Sequence, residues 1–348
     1  MRAALLTSLN SPLIISELDL TPLKTGQVLV RVLMSGICGT QLKEINGSKG
    51  NKKFLPHLIG HEGCGIVLDI GPGVSNVAIG DKVVMHWRKG LGIDSEFPMY
   101  IHKGKSITSG KINTLTEQAI VSENRLTSVP HKTSDLLCTL LGCSLSTALG
   151  TIENEANLKF GETIVIIGCG GVGLNLVKSA SIGGAALIVA VDIAPNKLES
   201  ALQAGADYYV DLSDKNLENA FEKLPNNKSD VIIDTTGEIK LIRQAFNYLS
   251  ENGRLILVSQ PEIGAEVVID SLSNMFGSEG KKIIFTQGGK FAPEKDILRY
   301  INLFQRKDLD VSFLSTKRFQ LSEINKGIEV LKNGLTGRVI IEMSEGNL

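Results

Sequence analysis

Along the first part of the chain, apolar and polar residues alternate in short runs that turn residues interrupt. Val28–Met34, Gly65–Ile70 and Asp81–Met85 carry the two-residue period of half-buried strands, with Gly71-Pro72-Gly73 and Gly80-Asp81 as punctuation. The pattern predicts a curled antiparallel β domain reaching to about Leu145. Trp87–Asn113 breaks the rhythm: Gly, Lys and Ser accumulate, periodicity fades, and the stretch reads as a long excursion over the surface.

From about Ser146 the period changes. The apolar run Thr163–Ile167 leads through a glycine-rich turn into a helical stretch, Val172–Ile182, and Ala186–Val191 leads into Pro195–Ala204. Asp230–Asp234, Arg254–Ser259 and Lys282–Thr286 are further strand candidates, with a helix at Ile239–Leu249. Strands alternating with helices predict a parallel sheet wound on both faces. Beyond Gly288 come two helical patterns, Glu294–Gln305 and Leu321–Leu331, and a last strand, Arg338–Met343.

Composition narrows the function classes. The 348 residues include 36 basic and 37 acidic side chains, a net charge of -1, which gives no electrostatic case for nucleic acid or an anionic membrane as partner. The apolar runs fall far short of the ~20 residues a spanning helix needs. Met1–Leu6 reads as the start of a strand rather than a secretion signal. Five cysteines (Cys38, Cys64, Cys138, Cys143 and Cys169), none in a CxxC pair, argue against a disulfide framework, and the cytoplasm is the expected address.

Two groups of residues carry chemistry. Gly168-Cys169-Gly170-Gly171-Val172-Gly173 lies where a strand turns into a helix; glycines there permit a tight turn and let the backbone approach a pyrophosphate at the helix N-terminus. Asp192 ends the next strand, 24 positions after Gly168, where a carboxylate accepts hydrogen bonds from ribose hydroxyls and repels a 2′-phosphate, favouring NAD over NADP. The second group is scattered. Cys38 follows a strand in Ser35-Gly36-Ile37-Cys38-Gly39-Thr40, His61 precedes one in Gly60-His61-Glu62-Gly63, and Cys143 sits in Leu140-Leu141-Gly142-Cys143-Ser144. Two thiolates and one imidazole leave a tetrahedral zinc with one open position, the ligand set known from alcohol dehydrogenase. Cys64, Cys138 and Cys169 read as small buried residues, and His57, His86, His102 and His131 as satisfied polar ones.

With Gly36-Ile37-Cys38-Gly39-Thr40, Gly60-His61-Glu62, Gly142-Cys143, the glycine turn and Thr336-Gly337-Arg338-Val339, the chain resembles the medium-chain, zinc-dependent alcohol dehydrogenase family over essentially its whole length. The resemblance implies a GroES-like antiparallel β catalytic domain at 1–145, a Rossmann NAD-binding domain at 146–288, and a return to the catalytic domain at 289–348. It implies that Cys38, His61 and Cys143 hold zinc, that Glu62 is the carboxylate beside the metal, and that Thr40 takes the substrate proton. Gly168, Gly170, Val172, Gly173, Asp192, Lys197 and Thr147 would meet the cofactor, Arg338 its phosphates, and Trp87 would wall the substrate pocket. Many relatives carry a second, structural zinc on four cysteines. Trp87–Asn113 has none, so one zinc per chain is expected. Gln41 stands where many relatives have an aspartate, and Lys43 where some have a histidine that ends the proton path. The implied function is interconversion of an alcohol with its aldehyde or ketone by hydride transfer to NAD. The rival is a polyol, sugar or cyclitol dehydrogenase with the same chemistry. A homodimer or homotetramer with a small-molecule substrate is expected, with neither nucleic acid nor membrane as partner.

Overall fold

Five successive residues of Thr163–Ile167 are all buried, the signature of a central parallel strand covered on both faces. This strand lies at the middle of a six-stranded parallel sheet whose order is Tyr208–Asp211, Leu187–Asp192, Thr163–Ile167, Ser229–Asp234, Leu249–Leu257, Lys282–Phe285. The order reverses direction between the third and fourth of these strands, the switch point at which doubly wound sheets hold ligands outside the strands' carboxyl ends. Helices Gly171–Ile182, Pro195–Ala204 and Ile239–Asn247 provide the crossovers. The structure, a computed structural model, describes residues 1–48, 54–259, 261, 264–269, 279–307, 309–314 and 317–343.

The chain divides into two compact units, Met1–Ser146 with Ala292–Leu348, and Thr147–Phe291. In the first unit, the long strand Gln27–Ile37 organises a seven-stranded sheet. Glu62–Ile70 pairs along it with two register shifts that curl the pair, Lys82–His86 and Leu126–Val129 extend that side, and Gln118–Ser122 also pairs with it. Val339–Glu342 pairs antiparallel with Gln27–Ile37, so the end of the chain completes the sheet that its beginning started. Val28, Val30, Val32 and Ile37 share one core with Val83, Met85, Val339 and Ile341.

One expectation is corrected and one element is added. Trp87–Asn113 is not bare loop: Met99–His102 and Lys105–Ser109 form an antiparallel hairpin inside a six-stranded sheet. Its strands are short and mostly polar, and inward burial falls on Tyr100 and Ile107, too few positions to show a period. Tyr100 is tied down through its hydroxyl, which accepts from the Ile120 amide at 2.7 Å and from Asn113 Nδ2 at 2.9 Å. The strand Tyr208–Asp211 also escaped the pattern, because at the sheet edge Tyr208 and Tyr209 are exposed and only Val210 is buried.

Candidate metal centre and dinucleotide turn

Three chain segments converge in the first unit. Cys38 ends the strand Gln27–Ile37 and occupies the N-cap of the helix Gly39–Ile45 in extended conformation. His61 immediately precedes the strand Glu62–Ile70. Cys143 lies in the turn between helices Asp135–Leu141 and Ser144–Gly150. Gly142 allows that turn to approach, since a Cβ there would collide with the Met85 carbonyl oxygen. Cys38, His61 and Cys143 each present one ligand atom, and these atoms lie within 4.8 Å of one another; no other such group occurs among the described residues.

The donor set fits a zinc ion. Ligand bonds of about 2.0–2.3 Å in a tetrahedron separate donors by roughly 3.3–3.8 Å, within the span observed. The two sulfurs also lie in hydrogen-bond contact with each other. A hydrogen bond from Cys143 holds the Cys38 thiol well below its ordinary value, against the effect of burial and with help from the Arg338 charge. The same contact, with burial and the Cys38 charge, pushes the Cys143 thiol up.

The surroundings complete the charge pattern. Gln41, 1% exposed, accepts the Cys38 amide on Oε1 at 2.9 Å, and its Nε2 lies 2.5 Å from His61 Nδ1, so one side chain joins two of the candidate ligands. Glu62 is wholly buried. Its Oε1 accepts Ser144 Oγ at 2.7 Å and the Ser144 amide at 3.2 Å. Its Oε2 lies 3.0 Å from Arg338 Nη2, an ion pair whose angle is not that of a hydrogen bond. Burial, only partly offset by Arg338, raises the Glu62 carboxyl, and the Cys38 charge adds to the rise. Arg338 was expected at the cofactor's phosphates; it is found 2% exposed, against Glu62 and the Ile37 carbonyl. Ser144 and the Glu62–Arg338 pairing were not anticipated, although Ser144 follows Cys143 directly. Thr40 is half-buried in the first turn of Gly39–Ile45, and Trp87 is half-buried just after Lys82–His86.

In the second unit, Gly168 to Gly173 make the turn between Thr163–Ile167 and the helix Gly171–Ile182, with Gly170 at the N-cap and Val172 partly exposed in the first turn. Gly173 lets helix and strand close on each other, because a Cβ there would overlap the Gly168 carbonyl oxygen. Asp192, 9% exposed, accepts the Cys169 amide on Oδ2 at 2.7 Å and the Ile193 and Ala194 amides on Oδ1 at 2.8 and 3.0 Å. Lys197 Nζ stands 3.8 Å away. Asp192 thus shapes the turn, and of the roughly four lone-pair sites a carboxylate offers it has one left. Thr147 is buried in the helix Ser144–Gly150.

A chain with this donor set and this dinucleotide turn has the makings of a metal-assisted oxidoreductase, and comparison with known proteins agrees. Residues 24–131 match the alcohol dehydrogenase GroES-like domain and residues 171–304 the zinc-binding dehydrogenase domain. The chain is 29% identical to alcohol dehydrogenase 1 of Cenchrus americanus, covering 98% of this chain and 97% of that protein. It is 27% identical to the NDMA-dependent alcohol dehydrogenase of Amycolatopsis methanolica, with 98% of each covered. The structure of benzyl alcohol dehydrogenase from Acinetobacter calcoaceticus is similar with a TM-score of 0.89 and 25% identity over 99% of both chains. The chain belongs to the zinc-type medium-chain alcohol dehydrogenase family. It is an oxidoreductase acting on the CH–OH group of a small-molecule alcohol, with zinc and NAD as its cofactors.

Proposed function

We propose that Cys38, His61 and Cys143 hold the one zinc of each chain, and that Thr40 is the first acceptor of the alcohol's proton. The observation that carries this reading is the convergence of three ligand atoms within 4.8 Å from segments spread over about a hundred residues. Zinc bound there supplies a Lewis acid for the alcohol oxygen, and NAD supplies the hydride acceptor. The chain's own groups do the rest. Gln41 fixes the His61 ring and the Cys38 backbone together. Arg338 balances the negative charge that Glu62 and the two sulfurs concentrate in a buried place, and its Nε and Nη2, which have no hydrogen-bond partner among the described residues, leave it donors for the cofactor's phosphates. The amides of the Gly168, Gly170 and Gly173 turn receive the pyrophosphate at the start of a 12-residue helix. Asp192 and Lys197 take the adenosine ribose, with NAD preferred because the Asp192 charge repels a 2′-phosphate. Thr147 and Val172 pack the nicotinamide, and Trp87 contributes an apolar wall to the alcohol pocket.

A homodimer or homotetramer built on the sheet edge Lys282–Phe285 is supported by that strand's pairing on one side among the described residues and by Phe285, 80% exposed. The five cysteines, all unpaired and buried, support a reducing, cytoplasmic setting. Among the described residues no single helix is long and apolar enough to cross a membrane.

The test is formation of reduced nicotinamide from NAD and from NADP over aliphatic, benzylic and polyhydroxy alcohols, on protein of measured zinc content. One zinc per chain and turnover with NAD are expected, both lost in Cys38→Ser. A Cys38→Ser protein with full zinc and full turnover would remove Cys38 from the metal.

A further inference from the structure

The Gln41 side chain, 1% exposed, bridges the Cys38 backbone and the His61 ring. One side of this bridge is fixed. The Cys38 N–H is always a donor, and Gln41 Oε1 accepts it at 2.9 Å, closing the start of the helix Gly39–Ile45. A carboxamide has one oxygen and one NH2, so with the oxygen committed the group presented to His61 is a donor. Nε2 stands 2.5 Å from His61 Nδ1, and a donor there demands a lone pair on Nδ1.

The other ring nitrogen agrees. A neutral imidazole that accepts on Nδ1 carries its proton on Nε2. His61 also hydrogen-bonds the Cys38 thiol, and with Nδ1 engaged by Gln41, Nε2 is the nitrogen left for that contact. Two contacts, one to an amide and one to a sulfur, thus hold the ring with its proton on Nε2. Zinc needs the reverse. A metal shared with Cys38 on this side of the ring takes the Nε2 lone pair, so the ring proton belongs on Nδ1. Nδ1–H and the Gln41 NH2 would then be two donors meeting at 2.5 Å.

We propose that Gln41 opposes zinc as it stands, and that loading the site turns its amide so that Oε1 accepts the Cys38 N–H and the His61 Nδ1–H together. The inference rests on the assignment of Cys38, His61 and Cys143 as the ligands. A carboxamide oxygen has two lone pairs and serves both donors. The turn takes the NH2 away from its acceptor in a buried place, a penalty that zinc must overcome and that makes the ion easier to lose. Gln41 touches the ligands rather than the substrate. It is a positioning residue, and its preference sets how readily zinc exchanges.

The experiment needs no turnover. Parent, Gln41→Glu and Gln41→Met chains, isotope-labelled at the histidine ring nitrogens, are compared metal-free and zinc-loaded by NMR, and zinc affinity is measured by competition with a chromophoric chelator. The His61 signals are identified by their loss in His61→Gln. In the parent, the His61 proton is expected on Nε2 in the metal-free chain and on Nδ1 once zinc is bound. Glutamate offers acceptors on both oxygens in nearly the same shape, so Gln41→Glu should lower the zinc dissociation constant about 10–100-fold. Added charge alone would give the same gain, and Gln41→Met separates the two. It carries neither charge nor donor, and it should bind zinc at least as tightly as the parent although it forfeits both hydrogen bonds. A proton already on Nδ1 in the metal-free parent, or still on Nε2 in the loaded one, overturns the inference. So does an unchanged constant in Gln41→Glu, or weaker zinc binding in Gln41→Met, since the amide would then support the metal as it stands. If Gln41→Met does not fold, the parent spectra decide. A parent chain that binds no stoichiometric zinc would overturn the ligand assignment instead.

Discussion

Glu62 and Glu123 are both wholly buried glutamates of the first unit, yet they are held in opposite ways. Glu123 Oε1 accepts the Ser75 and Asn76 amides at 2.6 and 2.8 Å, and Oε2 accepts the Ile93 amide at 2.7 Å. Burial works to raise its carboxyl, but these amides outweigh burial and hold it below the usual range. Glu62 has one serine and one arginine, its Oε2 lacks a hydrogen bond, and its carboxyl is raised. A charge neutralised by fixed backbone dipoles has one stable state. A charge balanced by another charge beside two thiols responds when a cation or proton arrives. The first arrangement builds structure, the second chemistry.

Glu123 also accounts for how the lobe after Trp87 holds together without cysteines. It ties the turn at Ser75–Asn76 to Ile93, while Gly90 donates its amide to the Asn124 carbonyl at 2.8 Å and Ser95 donates its amide to Ser122 Oγ at 2.9 Å. Lys111 meets both the Ser95 carbonyl and Asp94.

The largest effect should come from breaking the responsive site. Cys143→Ser or His61→Ala should abolish stoichiometric zinc and lower alcohol oxidation by about 10³-fold or more, the equivalent of several kcal/mol of lost charge stabilisation. Denaturant midpoints should move far less than activity. Zinc analysis with steady-state kinetics checks this, and a zinc-replete Cys143→Ser protein would end the comparison.

Next in size is the opposite pattern at Glu123. Glu123→Ala removes the carboxylate that accepts three backbone amides in a buried place and should cost about 3–5 kcal/mol in urea unfolding. Zinc content and kcat of the protein that still folds should be unchanged. Loss of zinc in parallel with stability would show that the lobe and the metal centre are not separable. Glu62→Gln should do the reverse, with a stability change within about 2 kcal/mol and a clear fall in kcat. A double-mutant cycle with Arg338→Met should give a coupling of about 1–3 kcal/mol between the two.

These two glutamates also mark how far the sequence could be read. The dinucleotide turn was legible because its parts are local: Thr163–Ile167, the glycines and Asp192 follow one another in a single strand–turn–helix–strand unit. Cys38, His61 and Cys143 were legible only through their flanking residues, since no spacing rule links positions so far apart. Glu123 was invisible, because its partners are backbone amides, which carry no residue signature. The Glu62–Arg338 pair joins positions 276 apart in the chain, and only the return of Val339–Glu342 to the strand Gln27–Ile37 brings them together. The hairpin Met99–His102 with Lys105–Ser109 was missed because its strands are only four and five residues long and Ile107 stands alone among lysine, serine and threonine.

A last effect, spread over several pH units, separates a buried acid from a buried base. Glu123, lowered on folding, contributes stability that is complete above the unfolded carboxyl value of about 4.3 and is lost as pH falls through its folded value. His86 is the basic counterpart in the same unit. It is wholly buried, with Nδ1 on the Arg88 carbonyl at 2.7 Å and Nε2 on Thr127 Oγ1 at 3.0 Å, and burial lowers it to about 4. The unfolded chain therefore binds this proton first, and stability declines as pH drops from about 6.5 toward 4, by up to roughly 3 kcal/mol. Both groups weaken the fold in acid, but in successive windows: His86 first, Glu123 below it. Urea midpoints measured from pH 7 to pH 4 should fall less steeply in His86→Gln than in the parent chain. The Glu123→Gln curve should keep the parent's slope above pH 5 and flatten only below it. A His86→Gln curve parallel to the parent's throughout would mean that His86 is not neutral in the folded protein.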